Sequence, residues 1–305
     1  MKCAVWLLDS GAESLFINSL GSLKLNARDF WDDNIKLILD FGLSEKMATF
    51  LSSLSGEHVY VHRLTLPDAE DVVGANPGGG VGVMRRRVEI SRILQSITES
   101  LKLTVEEYVI YDCDTVFFFS PVQFPMPGLG RQIIIMKEWD ISNGVEVEMK
   151  ICRPSSFAGG SVPTRYIPLI SSKLGLTERE FISIPTYNTG VFGFRAGVEF
   201  SQEWETAYTL IKTILDDQGV PIFSPFAAEQ NALSLCVYKG AISISDLPKR
   251  FNQFPPRPPL TWPEETVIGH FITFNKNHEE DRYKLWYKIR NQLLSQKFIP
   301  EGFIH

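Results

Sequence analysis

Apolar and polar residues alternate along this chain in blocks that switch between two periods. Cys3–Asp9 is a short apolar run stopped by Asp9-Ser10-Gly11, which reads as a first strand and its exit turn. Glu13 to Leu25 carries Leu15, Ile17, Leu20 and Leu23, a spacing that predicts a helix. Ile35–Asp40 predicts a second strand. A helix then opens at Leu43-Ser44, with Ser44 as N-cap and Met47, Phe50, Leu51 and Leu54 at helical intervals. Val59–Leu64 predicts a third strand. Strands alternating with helices in this way build a parallel sheet through right-handed crossovers, so the fold class expected is α/β.

The next stretch runs from Gly74 to Gly82 and is rich in glycine; Arg85-Arg86-Arg87 follows at the predicted start of a helix buried along Ile90, Ile93, Ile97 and Leu101. No Gly-Lys-Ser/Thr follows the glycines, which excludes a Walker loop and leaves a flexible loop or a phosphate cradle. Arginines beside a buried face call for an anion, although a solvated helix start accounts for any single one of them. Tyr108 to Ser120 is apolar on both sides of Asp112-Cys113-Asp114 and reads as a buried strand with two carboxylates at its end. Bare buried charges cost roughly several kcal/mol each, so a cation belongs there. Two oxygens one residue apart can reach the same hard divalent ion.

Residues 121–180 break the rhythm. Pro and Gly recur, and only Arg131–Met136 reads as a strand. Tyr187–Arg195 reads as a turn running into a strand. Phe200–Leu215 is an amphipathic helix with Trp204, Ala207, Ile211 and Ile214 inward, and Ala228–Leu235 begins another. Lys249–Pro259 is a Pro-rich loop, a strand ends at His270, and Asp281–Leu294 is a closing helix. With no repeat and no linker, a single domain over 1–305 is expected.

Composition narrows the chemistry. At 305 residues, 44% hydrophobic and 12% aromatic, the chain has enough apolar matter for a sizeable core. A net charge of −6 gives no general pull toward nucleic acid, so an anionic ligand needs a metal or a few placed cations. Cys3, Cys113, Cys152 and Cys236 lie far apart without a Cys-x-x-Cys pair, as free thiols in a reducing compartment do. No apolar run approaches the ~18 residues of a membrane span. A cytoplasmic protein is expected, with contact at a membrane surface left open.

Each chemistry-bearing residue has a plain reading beside a functional one. His270 ends an apolar strand, either as a hydrogen-bonded core residue or as a ligand. As a ligand it completes an O/O/N set with Asp112 and Asp114, which suits Mn²⁺ or Mg²⁺ on a diphosphate better than structural zinc. Lys276 is either a surface lysine or a phosphate contact. Asn188 is either a turn residue or an amide for sugar hydroxyls. Glu229-Gln230 either favours a helix dipole or sets a carboxylate and an amide beside a reacting anomeric carbon.

The order of these motifs resembles metal-dependent glycosyltransferases with the Rossmann-like GT-A fold, most of all glycosyltransferase family 8, the glycogenin and lipopolysaccharide galactosyltransferase relatives. Ile35 to Ser44 is similar to the family's second strand and following turn. Tyr111-Asp112-Cys113-Asp114 matches its Tyr-Leu-Asp-x-Asp, and Asn188-Thr189-Gly190-Val191 its Asn-Ser-Gly-Val. Glu229-Gln230-Asn231-Ala232-Leu233 matches its Asp-Gln-Asp-x-Leu, and His270-Phe271 its late His-Phe. The resemblance implies a mostly parallel central sheet flanked by helices, with an irregular insertion after the metal motif. It implies a nucleotide-binding half over 1–120 and an acceptor and donor-sugar half over 121–305.

By the same resemblance, Asp112, Asp114 and His270 hold Mn²⁺ (or Mg²⁺) on the diphosphate of a nucleotide-sugar donor, with UDP the expected nucleotide. Tyr111 belongs to that motif. Lys276 meets the phosphates, Asp9 the base, and one of Arg86, Arg87 and Arg92 the donor. Asn188, Glu229 and Gln230 contact the donor sugar at the reacting centre. A carbohydrate, lipid-linked or protein acceptor and retention at the anomeric carbon are implied. The chain departs from the family pattern at four places: Glu229 stands for Asp, and Lys276-Asn277-His278 for Lys-Pro-Trp. The segment before Asn188 is long, and no aromatic follows Asp9. Asp112-Cys113-Asp114-Thr115-Val116 also resembles the nucleophile motif of haloacid-dehalogenase-type phosphatases, with Asp112 attacking phosphate and Asp114 as acid/base. Three predicted strands precede it, however, where that motif opens its own fold. A nucleotidyltransferase or a non-catalytic sugar-binding relative would share the carboxylates.

Overall fold

The chain's structure, a computed structural model, describes residues 1–72, 80–142, 145–151, 166–217, 227–254, 263–271 and 281–299. In chain order the elements are β1 (Lys2–Leu8), α1 (Glu13–Asn26), α2 (Arg28–Asp33), β2 (Ile35–Asp40), α3 (Glu45–Ser53), β3 (Val59–Arg63), α4 (Val81–Arg87), α5 (Ile90–Ser100), β4 (Glu107–Tyr111) and β5 (Thr115–Phe117). There follow β6 (Ile133–Lys137), β7 (Trp139–Ser142), β8 (Val145–Glu148), α6 (Ile167–Lys173), α7 (Glu178–Ser183), β9 (Tyr187–Arg195), α8 (Ser201–Asp217), α9 (Ala227–Tyr238), β10 (Ile244–Asp246), β11 (Ile268–His270) and α10 (Asp281–Ser295).

One seven-stranded sheet runs β10-β6-β9-β4-β1-β2-β3. Its pairings are parallel except where β9 enters between β4 and β6. Helices cover both faces, and this is why β1 is apolar at almost every position rather than at alternate ones. Cys3, Val5 and Leu7 face one core with Val83, Ile90 and Leu94, while Ala4, Trp6 and Leu8 face the other with Phe16, Ile17 and Leu20. Each such fully buried large side chain contributes about 1.5–3 kcal/mol. Ser44 caps α3 as its sequence predicts, accepting from the Met47 amide at 3.2 Å.

The order places β1 beside both β2 and β4, so successive connections leave it in opposite directions. That switch point opens a crevice at the carboxyl ends of the strands, where open α/β sheets bind ligands. Asp9 follows β1 there, and Asp112 follows β4.

Three details depart from the sequence reading. The arginine triplet ends a short helix, α4, rather than opening one, and α5 starts afresh at Ile90. Tyr187–Arg195 is strand throughout, with a register shift against β6 between Ile135 and Met136. The segment after the Asp-x-Asp motif holds more than one strand: β7 and β8 form an antiparallel pair, and α6 and α7 follow. Most of the Gly74–Gly82 run, Cys152, Lys276 and the end of the Pro-rich loop lie outside the described residues. Cys3, Cys113 and Cys236 are free. Among the described residues no helix is long and apolar enough to cross a membrane.

Candidate metal centre

The site forms where two short strands meet. After the turn at Asp112-Cys113-Asp114 the chain makes β5, which pairs antiparallel with β11, setting His270 opposite Thr115. The Phe271 amide donates to the Asp114 carbonyl at 3.0 Å. The His270 ring therefore reaches back over the turn, with Nε2 3.4 Å from Asp112 Oδ2 and 3.2 Å from Asp114 Oδ1. One ligand atom from each of the three residues lies within 4.8 Å of the others. Two carboxylate oxygens and one imidazole nitrogen in this space are a donor set that could hold a divalent metal ion.

Backbone geometry makes room for the ring. A methyl group on Gly190 would stand 2.0 Å from His270 Cε1 and 2.7 Å from Asp112 Oδ2, so no side chain fits there. Gly190 sits in the part of β9 that loses register with β6, and its carbonyl accepts from the Asp112 amide at 2.7 Å. Such irregularities re-aim side chains beside functional sites.

Arg87 closes the back of the site. Three successive arginines near 100° apart on a helix must face different ways. Arg85 pairs with Glu89 and Glu205, and Arg86 with the Thr65 carbonyl and Glu89. Arg85 and Arg87 are both buried, but only Arg87 of the three turns to the metal-ligand cluster, where it is 2% exposed. Its guanidinium bonds Asp112 Oδ1 and donates to Thr189 at the carbonyl (3.2 Å) and Oγ1 (3.1 Å). With Oδ1 held by Arg87, Asp112 presents Oδ2 to the His270 side. Arg92 is exposed and pairs with Glu205. Of the three arginines expected near the donor, the structure brings only Arg87 to the centre, and there it binds protein groups.

Glu229, at the start of α9, is 2% exposed. Its Oε1 accepts from Thr189 Oγ1 at 2.9 Å and lies 3.9 Å from Arg87, while Oε2 has no partner among the described residues. Burial raises its pKa to about 7 against the pull of Arg87 and the Thr189 hydroxyl. Gln230 reaches the same hydroxyl at 3.3 Å. Burial would lower the His270 pKa, but Asp114 and Asp112 outweigh it and raise it to about 10. For Asp112, burial works upward, and Arg87 and His270 overcome it to hold the carboxyl far below its usual range. Buried ion pairs of this kind stand only because each charge is answered.

The other expected residues divide. Asn188 lies beside the centre and is 2% exposed. Asp9 is at the crevice, where its Oδ1 accepts from the Gly11 and Ala12 amides. Tyr111 is not at the site surface: its ring is buried among Trp6, Phe117 and Phe124 because alternate β4 residues face opposite cores. Lys276 lies outside the described residues.

Sequence reading missed Thr189, Glu138 and Asn252. Glu138 follows β6, and burial raises its pKa while the Asn188 side chain and the His270 charge act against that rise. Its signal was available, since it is a carboxylate at a strand end just as Asp112 is. Asn252, fully buried against His270, lies in what reads as a Pro-rich loop and gave no signal.

As a phosphatase nucleophile Asp112 would need a free oxygen, but one is bound by Arg87 and the other faces His270. Among the described residues this is the one group of three or more metal-ligating side chains.

No family model matches the sequence, and no curated protein matches it by sequence. Solved structures do match the fold. The galactosyltransferase LgtC, in complex with donor and acceptor sugar analogs, superimposes with a TM-score of 0.58 at 14% identity, over 99% of this chain and 98% of its own. The bifunctional glycosyltransferase WbbM gives 0.56 at 13% identity, over 97% of this chain and 50% of its own. Mouse xyloside xylosyltransferase 1 gives 0.50 at 10% identity, over 89% and 98%. The chain has the GT-A fold of these glycosyltransferases.

Proposed function

We propose that this chain is a divalent-metal-dependent glycosyltransferase that moves a sugar from a nucleoside-diphosphate sugar, with UDP as the nucleotide, to a hydroxyl of a carbohydrate, lipid-linked or protein acceptor. The observation that carries this reading is the meeting of Asp112, Asp114 and His270 at the switch-point crevice of a fold shared with solved glycosyltransferases.

In such a transfer the bond from the anomeric carbon to the β-phosphate oxygen breaks, and negative charge grows on the departing diphosphate. A bound Mn²⁺ or Mg²⁺ supplies Lewis-acid stabilisation of that charge. Asp112, Asp114 and His270 are the residues that would hold it. Arg87 keeps Asp112 ionised and oriented, so the ligand needs no rearrangement when the donor arrives. Asp9, at the end of β1, is assigned to the nucleotide, and Lys276 to the phosphates. Asn188, Glu229 and Gln230 are assigned to the donor sugar, where a positive charge develops on the ring. Asn188 is assigned there through Nδ2, which also faces the Glu138 carboxyl, because its Oδ1 already accepts from Gly190 and Asn252. Retention at the anomeric carbon is part of the same proposal.

The test is a melting curve with Mn²⁺ and UDP. Ligands that bind only the folded state raise the transition by mass action. The wild type is expected to gain several degrees, and Asp114→Ala and EDTA-treated protein to gain none. A wild type that melts at the same temperature with and without Mn²⁺-UDP removes the reading. Slow metal-dependent hydrolysis across a panel of nucleotide sugars then identifies the donor.

A further inference from the structure

His270 ligates through Nε2 only if the ring's neutral form carries its proton on Nδ1, and the protein fixes this by a chain of amides. The Gly190 amide donates to Asn188 Oδ1 at 3.0 Å. A backbone N–H is always a donor, so the atom it meets must be oxygen. Asn252 meets that same oxygen at 3.0 Å and must do so with Nδ2. The opposite end of the Asn252 amide is then Oδ1, and it stands 2.9 Å from His270 Nδ1. An oxygen there accepts, so Nδ1 carries hydrogen. The Nε2 lone pair is left pointing between Asp112 Oδ2 and Asp114 Oδ1. All three links are buried: Asn188 and His270 are each 2% exposed and Asn252 is fully covered, so water does not compete for these bonds.

We infer that Asn252 is a positioning residue of the metal centre: through the relay from Gly190 and Asn188 it sets the tautomer and orientation of His270, and so makes Nε2 available to a divalent cation. It acts through His270 and touches no substrate. Its place in the chain serves this role. The Phe251 and Asn252 amides close a short turn on Pro248 and Lys249, and Gln253 bridges to β11 through the Ile268 carbonyl and the His270 amide. The loop and the histidine strand are thereby tied side by side. Partners that hold a ligating histidine typically contribute about 10–100-fold in metal affinity.

This inference rests on the metal reading above, and one experiment separates the two. Mn²⁺ titrations followed by electron paramagnetic resonance, without nucleotide, compare wild type, Asn252→Leu and Asn252→Asp. Leu keeps the shape without an acceptor, whereas Asp keeps an acceptor for Nδ1–H. The Leu variant is expected to bind about 10–100-fold more weakly, with Asp recovering most of the loss. Equal affinity for all three overturns the relay and leaves the metal site standing. No Mn²⁺ binding by the wild type overturns both. Histidine ¹⁵N spectra of Mg²⁺-loaded wild type need no variant and read the ring directly. A protonated Nδ1 supports the relay, and a protonated Nε2 overturns it.

Discussion

Thr115 and His270 stand opposite each other in the antiparallel pairing of β5 with β11. That single register position brings a histidine from late in the chain over two carboxylates from its first half. A shift of one residue would turn the ring to the other face of the ribbon, away from Asp112 and Asp114. The Thr115 hydroxyl is 2.8 Å from Ser19 Oγ and donates to the Asp112 carbonyl at 2.8 Å, which pins this register to α1 and to the turn.

Gly190→Ala tests the packing of the ring. The added methyl cannot coexist with His270 where it stands, so the ring must move out of reach of the carboxylates. Mn²⁺ affinity is expected to fall by at least about tenfold, while far-ultraviolet circular dichroism keeps its wild-type shape. Unchanged Mn²⁺ binding would show that the ring position does not matter.

Metal binding should release a proton. With its pKa raised to about 10, His270 is protonated in the metal-free protein at neutral pH and must lose one proton to ligate. Apparent Mn²⁺ affinity is therefore expected to rise by about tenfold per pH unit from pH 6 to 8. Calorimetry in two buffers of different ionisation enthalpy reads the released proton directly. A flat affinity profile would contradict either the raised pKa or ligation by His270. In the metal-free protein the sign is opposite. The stability that the raised pKa brings is full below the usual histidine range and is lost as pH climbs through about 10.

Replacing Arg87 separates charge from shape. Arg87→Met leaves Glu229 buried and Asp112 half-buried without their cation, and removing one partner of a buried pair typically costs about 3–5 kcal/mol. Arg87→Lys keeps the charge but cannot serve Asp112 and Thr189 together, and should fall between. Urea unfolding of the metal-free proteins gives the order wild type, Lys, Met. Equal stability of Met and wild type would mean that the pair contributes nothing.

Glu229→Gln gives a pH-dependent gain. Folding raises the Glu229 pKa from 4.5 to about 7, so the folded state holds its proton more tightly than the unfolded one. That contribution is most favourable below the unfolded value and is lost as pH rises from about 4.5 to 7. Gln removes the slope. Relative to wild type, the variant is expected to be more stable at pH 8 than at pH 5 by on the order of 2–3 kcal/mol, read from urea midpoints. A difference that is the same at both pH values would contradict the raised pKa.

Much of the fold could be read from the chain because its signals are local. The buried strands β1, β2 and β4 are short apolar runs, and Ser44 marks a helix start with its own hydroxyl. Asp112 and Asp114 were legible because charges at the end of an apolar run have to be answered. What stayed hidden depends on distant partners. Nothing near Arg85-Arg86-Arg87 says which one reaches Asp112, since α4 is too short to show a face of its own. Tyr111 belongs to the same motif as Asp112 and yet faces the other core. Asn252 has no meaning until β11 lies beside it.

The β5–β11 ribbon also has a consequence for how the protein folds. Its two strands come from distant parts of the chain, and closing so long a loop is entropically slow. The sheet around β1, β2, β3 and β4 draws on the first part of the sequence alone and can form before β11 arrives. Metal competence is then expected to be among the last properties a refolding chain acquires. In pulse-labelled hydrogen exchange, the Phe271 amide should gain protection after the amides of β1 and β4, and Mn²⁺ should leave the early rates untouched.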